Sequence, residues 1–254
     1  MVEWRNGGKG LTNWSGSCMI FVCLYEVNNT KNPSKKGMET DMSERKQAPE
    51  TPWYLRPFGP LVSLALLCVV WGVYGKARLS GRRTRAQRAW QVVSQGCVYD
   101  LGRDLTRHNC FRYCNRGSLS SAYFAQATAA LSDGYIYLAL THSNSPAGEV
   151  IGLFTGRAYN HISLAFDRAL KTLVSYNGGE GGEAPGLNPE TLKGLAERKG
   201  ASVRVYRLAA TRHQKQIMLK RLRKINQEGS AYNLLGLLFP MSCQPNIMFC
   251  SQFV

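Results

Sequence analysis

The sequence predicts an α+β fold, a small sheet with packed helices, preceded by a single transmembrane helix. An uncharged apolar segment predicts the transmembrane helix, and short apolar segments bounded by turn residues, with helix-forming segments between them, predict the α+β part. The chain has 254 residues, of which 44% are hydrophobic, and this excludes disorder along its whole length. Its 25 glycines and 10 prolines follow no fixed period, which excludes a collagen-like protein.

Residues 1–57 form a polar leader. They contain clusters such as NNTKNPSKKG and SERKQAPETP and show no sustained apolar periodicity. Segments that cannot bury enough apolar surface do not offset the entropy of ordering the chain. We therefore expect the leader to be largely disordered.

Residues 58–75 carry the transmembrane prediction. The segment FGPLVSLALLCVVWGVYG has no charged residue over 18 positions, and as a helix it would be about 27 Å long, close to the thickness of a hydrocarbon core. Tryptophan and tyrosine residues flank it or lie near its end, as in the aromatic belts of membrane proteins; they are Trp53, Tyr54, Trp71 and Tyr74. The alternative interpretation is a buried core helix.

Residues 76–133 are interpreted as a basic juxtamembrane segment followed by a helical linker, with a helix predicted over Ser120 to Leu131. Six basic residues follow the apolar segment within twenty positions, whereas three precede it. The positive-inside tendency then places the C-terminal part in the cytoplasm of a single-pass protein. The basic segment either binds anionic lipid head groups or is a solvated linker.

The formal charge of +16 allows partners such as nucleic acid or an anionic membrane, or a role in solubility alone. Between Thr211 and Glu228 a basic helix is predicted, with four apolar residues on one face; they are Ile217, Met218, Leu222 and Ile225. Packing of this face on a sheet explains the pattern without a ligand. The sequence has no recognisable nucleic-acid-binding motif.

The eight cysteines have no repeating spacing, and we expect free thiols rather than a disulfide framework. Four residues could be zinc ligands by residue type: Cys97, His108, Cys110 and Cys114. Structural zinc sites usually present two close pairs of ligands, and this spacing does not. Neither a metal nor a cofactor is predicted.

The C-terminal part alternates predicted strands and helices. Apolar or alternating segments predict the strands, and the NGGEGGEAPGLNP segment over Asn177 to Pro189 predicts a glycine-rich loop. The predicted strands are Tyr135 to Leu140, His161 to Phe166, Leu173 to Tyr176 and Val203 to Leu208, and the predicted helices are Glu149 to Phe154 and Pro189 to Lys199.

Two residues are candidates for chemistry, His161 in YNHISLAFD and Cys250 in NIMFCSQFV. Strand alternation places His161, Ser163 and Ala165 on one face. Cys250 follows a proline-containing loop, where the start of a helix can stabilise a thiolate and a neighbouring imidazole can take the proton. Residue types alone do not show that His161 and Cys250 lie close together in the fold.

The order of elements and the two motifs YNHISLAFD and NIMFCSQFV resemble the circularly permuted branch of the NlpC-type papain-like superfamily, the YiiX/YebB-like group. The resemblance covers about Gly134 to Val254. It implies a papain-like domain with a small antiparallel sheet and packed helices. It also implies a cysteine hydrolase (a peptidase or amidase) or acyltransferase. Such an enzyme would act on an amide or ester bond through a Cys250 thioester, with His161 as the general base.

The same resemblance implies a third polar residue that orients the imidazole, on the strand after the histidine. Ser175, Tyr176 and Asn177 are the candidates, and Asn177 is favoured because its side-chain carbonyl can accept from the imidazole. The backbone N–H of Cys250, helped by Gln252 or a loop residue, is expected to stabilise the oxyanion.

The sequence stops at Val254, four residues beyond Cys250, whereas members of the group continue the cysteine-bearing helix. One helical turn has little intrinsic stability, so we expect domain 134–254 to be C-terminally incomplete and its activity impaired. The alternative function is a non-catalytic, membrane-anchored basic protein that binds anionic lipid or nucleic acid.

Overall fold

The computed structural model describes residues 58–105, 108, 112–179, 183–197, 200–233 and 244–254. The polar leader, Cys110 and several loop residues of the sequence predictions lie outside these ranges. The described part has the predicted α+β class, with an antiparallel five-stranded sheet and helices packed on it.

The five strands follow the order β4-β3-β2-β1-β5, and every neighbouring pair is antiparallel. Their bounds are Tyr135–His142 (β1), His161–Ala165 (β2), Val174–Asn177 (β3), Gly186–Pro189 (β4) and Ser202–Ala209 (β5). Four of these strands were predicted, with bounds that differ by at most two residues at either end. A separate parallel pair joins β6 (Ala231–Tyr232) to β7 (Ile247–Met248).

The first three helices of the described part are α1 (Phe58–Leu79), α2 (Arg83–Ser94) and α3 (Cys97–Leu105). The apolar residues of α1 divide between two sides. Leu66, Val70 and Ala77 are buried, whereas Leu61 and Val69 are exposed, 62% and 51% respectively. One side of α1 therefore packs on the protein, chiefly on α2 and α3, and the other presents apolar side chains outward.

Among the described residues, only the helix over Pro60–Leu79 is long and apolar enough to cross a membrane, with a mean hydropathy of 1.6. A core helix of a soluble protein can have the same length and composition. The structure therefore confirms an apolar helix, and its crossing of a membrane stays a prediction.

The remaining helices come before, between and after the strands, and the last of them begins with Cys250. They are α4 (Ser121–Ala129), α5 (Pro146–Thr155), α6 (Leu192–Leu195), α7 (Arg212–Glu228) and α8 (Cys250–Phe253). Side-chain caps fix the starts of several of them: Ser145 accepts from Gly148 N at α5, and Thr211 accepts from Gln214 N at α7.

The hydrophobic core extends beyond the boundary predicted at residue 134. Phe124 and Ala127 of α4 are buried in one cluster with Leu219 and Leu222 of α7. The segment predicted as a helical linker is thus part of the folded unit, because the apolar face of α4 covers the apolar face of α7.

The glycine-rich loop and the helix after it differ from prediction. The end of the loop forms β4, because Leu187 and Asn188 pair with Tyr176 and Ser175 of β3. The helix predicted from Pro189 to Lys199 is reduced to the four residues of α6. Its glycine, Gly194, disfavours a longer helix.

Candidate active site

Cys250 is the first residue of α8 and is 6% exposed. Two backbone hydrogen bonds fix the segment before it to β6: Ala231 N donates to Asn246 O (3.2 Å) and Asn233 N donates to Met248 O (2.9 Å). The cysteine therefore lies where an anchored strand turns into a helix.

The single turn of α8 is anchored on the sheet despite its length. Phe253 packs against Tyr176 of β3, with ring centroids 5.1 Å apart, and the Tyr176 hydroxyl donates to Asn246 O (3.3 Å). These contacts position α8 against β2 and β3. Tertiary packing supplies the stability that one isolated turn of helix lacks.

The structure brings His161 and Cys250 together. His161 begins β2, and its side chain is 15% exposed. Cys250 lies close enough to the imidazole to help raise the pKa of His161, and Nε2 on the imidazole lies 2.9 Å from Glu190 Oε1. With Nε2 directed at the carboxylate, Nδ1 is the nitrogen left for the thiol.

Glu190, not Asn177, is the direct partner of the imidazole. Its side chain is 9% exposed, and Oε2 accepts a short hydrogen bond from Ser163 Oγ. Asn177 Nδ2 donates to Glu190 Oε1 (3.0 Å), while Asn177 Oδ1 accepts from Gly179 N and Asn188 Nδ2. The predicted contact from Asn177 to the histidine is therefore replaced by a contact to the carboxylate.

A series of buried amides extends behind Glu190. Asn188 Nδ2 lies 2.8 Å from Asn177 Oδ1, and Asn115 Nδ2 lies 2.8 Å from Asn188 Oδ1. Asn115 also donates to the backbone oxygens of Ala184 and Leu187, which fixes the approach to β4. The carboxylate is thus positioned by a hydrogen-bonded network that begins before the sheet.

The histidine and the carboxylate stabilise each other's charged forms. Burial acts to lower the pKa of His161, but the Glu190 charge and the hydrogen bonds with Cys250 and Glu190 outweigh it and raise that pKa. Burial acts to raise the pKa of Glu190, but the imidazolium charge and hydrogen bonds from three side chains hold it below its ordinary value. The arrangement favours an imidazolium beside the thiol.

Sequence reasoning missed Glu190 because it searched only the strand after the histidine. Glu190 follows Pro189, which pairs with Val174, and Val174 in turn pairs with Leu164 of β2. The GLNPE segment carries no strong local strand signal, because it is short and contains a proline, which weakens a strand prediction. The sequence instead predicts a helix that starts at Pro189 and Glu190.

The other sequence candidates lie close by but have different contacts. Ser175 is buried with no hydrogen bond to its Oγ, and Gln252 Oε1 accepts from Phe249 N at the start of α8. Of the zinc candidates, Cys97 is buried in α3 and the Cys114 thiol donates to Pro185 O (3.2 Å). Within the described ranges no three His, Cys, Asp or Glu residues form a metal-binding group.

A cavity of about 850 Å³ opens beside His161 and Glu190. Its walls come from α3, the start of α5, the end of β3 and the segment around α6. Tyr232 of β6 lines it as well, and burial and then the neighbouring Cys250 and Glu190 raise the pKa of the Tyr232 phenol, so its hydroxyl stays protonated. A substrate in this cavity would lie next to the histidine.

Comparison with known proteins adds no assignment: no protein-family model matches the chain, and no similar characterised protein or solved structure is found. Function is therefore argued from the site itself.

Proposed function

We propose that the protein is a cysteine hydrolase or acyltransferase of the permuted papain-like type. It acts on an amide or ester bond, with Cys250 as the nucleophile, His161 as the general base and Glu190 as the residue that orients the imidazole. The observation that supports this most is the buried series formed by a thiol, an imidazole and a carboxylate. A nucleophile, its base and a third group that orients the base are the features of such enzymes.

In the reactive form the proton of the Cys250 thiol already lies on His161, and the thiolate Sγ forms a bond to the substrate carbonyl carbon, whose oxygen takes the negative charge. The C–N or C–O bond then breaks, and the leaving amine or alcohol takes the proton from the imidazolium. The product bound to the protein is an acyl thioester. The backbone N–H of Cys250 is the proposed donor to the oxyanion.

In the second step water gives a proton to His161 and its oxygen attacks the thioester. The C–S bond breaks, the thiolate recovers the proton from the imidazolium, and a carboxylic acid leaves. An amine or alcohol in place of water gives acyl transfer. Glu190 accepts from the imidazole throughout and stabilises its charged form.

The architecture is compatible with a papain-like domain. The cysteine lies at the start of a helix packed on the sheet, and the histidine lies on a neighbouring strand. The histidine precedes the cysteine in the chain, as the permuted order requires. The alternative of a non-catalytic basic protein gives no reason for the ion pair between His161 and Glu190.

Thiol alkylation by iodoacetamide, followed at each cysteine by mass spectrometry, tests the pairing. We expect Cys250 to react faster at neutral pH than Cys97 and Cys114, because burial raises the pKa of both of these thiols. His161→Ala should slow Cys250 about tenfold or more, since the thiolate loses its partner. His142→Ala is the matched control, because His142 lies near Glu149 instead.

The proposal is wrong if Cys250 reacts no faster than the two buried thiols and His161→Ala leaves its rate unchanged. The proposal is supported if Cys250 is alkylated more slowly in His161→Ala and at the wild-type rate in His142→Ala. Site-resolved rates separate this effect from general unfolding, since unfolding would accelerate Cys97 and Cys114.

We also propose that α1 attaches the protein to a membrane as a single-pass anchor, with the C-terminal domain in the cytoplasm. Support comes from the exposed apolar side of α1 and from three exposed arginines of α2, which suit anionic head groups; they are Arg83, Arg85 and Arg88. A complete crossing requires both α2 and α3 to separate from α1, because the bilayer core excludes the charged residues of these two helices.

Cys68, an exposed residue of α1, reports on this insertion. In intact membranes a membrane-impermeant maleimide should label Cys68 only after detergent is added, and Cys68→Ser identifies its signal. Labelling without detergent, together with release of the protein by alkaline carbonate, contradicts the anchor.

A further inference from the structure

The Cys250 thiol is largely covered in the described form of the protein. Cys250 is 6% exposed, and it is absent from the described residues that line the cavity, although His161 and Glu190 both line it. A reacting substrate atom must approach the nucleophile to about 3 to 3.5 Å. The proposed reaction therefore requires a movement that widens the access to Sγ.

Helix α3 forms one wall of the cavity and also packs on α1. Leu101 joins the two surfaces: it lines the cavity, and it is buried in one apolar cluster with Leu66 and Val70 of α1. Val98 of α3 belongs to the same cluster. The position of this wall therefore depends on the packing of α3 against α1.

Contacts continue from α3 to the neighbourhood of the nucleophile. Asp104 Oδ2 of α3 lies 3.3 Å from Nε2 of His108, and the His108 ring lies 5.5 Å from the ring of Tyr232. His108 also packs against the backbone of Gly178, directly after β3, where an added Cβ would come 3.4 Å from its Cε1. Tyr232 is in turn an electrostatic neighbour of Cys250. A shift of α3 would therefore be transmitted to side chains that surround the thiol.

We propose that insertion of α1 into a membrane opens the active site, because α3 then loses the helix that holds it against the cavity. The inference rests on the proposed function, both the anchor and the hydrolase, and adds that the two are coupled. The buried apolar side chains of α1 can contact either α3 or lipid, but not both, and the carboxylates of α3 cannot follow them into the bilayer core. α3 also packs on α5, so its release from α1 moves one wall of the cavity and leaves the sheet in place.

Labelling of Cys250 by a bulky, membrane-impermeant maleimide, followed by mass spectrometry, tests the coupling. The full chain is diluted from detergent into preformed vesicles of phosphatidylcholine and phosphatidylserine, so that its C-terminal domain stays outside. Val69→Lys places a charge at an exposed position in the middle of α1, which the packed form tolerates but the bilayer core excludes. We expect Cys250 to react about 10- to 100-fold more slowly in this variant than in the wild type, because a lysine at the helix centre disfavours insertion by a factor of this order. Leu79→Lys is the matched control: it adds the same charge at the exposed last residue of α1, where a lysine can reach the interface, and it should react like the wild type.

Three other cysteines identify the state of the chain in the same samples. Cys68 of α1 is exposed in the packed form, so it should be protected by lipid in the wild type but labelled in Val69→Lys. Cys97 of α3 is buried in the apolar cluster that includes α1, and it should react faster when α1 is inserted. The Cys114 thiol donates to Pro185 O and should stay slow in both chains, whereas general unfolding would accelerate it.

Equal rates at Cys250 in the wild type and Val69→Lys, with Cys68 protected only in the wild type, would overturn the inference and leave the hydrolase standing. Labelling of Cys68 at the same rate in both chains would overturn the anchor and this inference with it. Insertion-dependent labelling of Cys250 at a rate that His161→Ala leaves unchanged would support the coupling and count against the hydrolase.

Discussion

Glu190 contributes a charge as well as a hydrogen bond, and Glu190→Gln separates the two. Glutamine keeps an oxygen for Nε2 of His161 but removes the charge that raises the histidine pKa. We expect kcat/KM to fall about 10²- to 10⁴-fold, the range seen when the carboxylate of such a triad is neutralised.

The pH profile gives the sign of this effect. With a lowered pKa the imidazolium loses its proton at lower pH, so the alkaline limb of kcat/KM should move to lower pH in Glu190→Gln. A variant that loses activity with an unshifted alkaline limb would show that Glu190 acts only as a structural acceptor.

Asn177 is a positioning residue, because its contact is to the carboxylate and not to the imidazole. Asn177→Ala removes one donor from Glu190 Oε1 but leaves the carboxylate charge in place. We expect a loss in kcat of about tenfold, smaller than for a group that contacts the reacting atoms, with the alkaline limb close to that of the wild type. A shift as large as in Glu190→Gln would place Asn177 on the imidazole itself, as the sequence suggested.

At the scale of elements, α7 is attached to the sheet through a buried lysine. Lys215 is fully buried, and its Nζ donates to the backbone oxygens of Ala130, Asp133 and Phe166 at 2.7 to 2.8 Å. These carbonyls end α4, precede β1 and follow β2. One side chain thus joins three segments of the fold.

Lys215→Met tests this connection. It preserves the aliphatic stem but leaves three carbonyl groups without their donor, so the free energy of unfolding should fall by about 2 to 4 kcal/mol. Chemical denaturation of the detergent-solubilised protein measures the change. Lys220→Met, at an exposed position of the same helix, should change it by less than about 0.5 kcal/mol. Equal effects of the two variants would contradict the role of Lys215.

The elements that could be predicted from sequence are those with a strong local pattern. β1, β2 and α7 follow from alternating or amphipathic segments bounded by turns and caps. β4 could not be recognised in this way, because its four residues pair only after the glycine-rich segment returns to β3. Glu190 was missed for the same reason, since only this return places its carboxylate at His161.

Lys215 shows another limit of sequence reasoning. In the sequence Lys215 is one of several basic residues of α7, and only its spacing from Leu219 and Leu222 places it on the apolar face of that helix. The three carbonyls that it bonds come from residues about 50 to 85 positions earlier, so only the assembled fold reveals its role.

At the scale of the whole molecule, the charge divides between two kinds of surface. Exposed Lys and Arg residues cover α2 and α7, whereas the described lining of the cavity contains five carboxylates and neither Lys nor Arg, alongside the His161 imidazolium. A positive exterior favours an anionic membrane surface. The exposed basic residues therefore suit the proposed attachment to anionic lipid without placing a Lys or Arg among the described residues of the cavity.

The buried ion pair also links the stability of the whole molecule to pH. The pKa of His161 is raised above its ordinary 6.5, so its contribution is complete below that value and is lost as pH rises through the raised pKa. The pKa of Glu190 is lowered from its ordinary 4.5, so its contribution is present above that value and is lost as pH falls through the lowered pKa. The pair therefore stabilises the fold most between pH 4.5 and 6.5.

Thermal unfolding of the full chain in detergent, over a series of buffers on both sides of this window, measures the effect. We expect the Tm of the wild type to fall on both sides of this pH window. Glu190→Gln should give a lower Tm that depends less on pH, because glutamine carries no charge and cannot form the ion pair with His161. Glu228→Gln, which removes a more exposed carboxylate, should follow the wild type. Parallel profiles for the wild type and Glu190→Gln would mean that His161 and Glu190 are not both charged in the folded protein, and the thiol would then face a neutral imidazole.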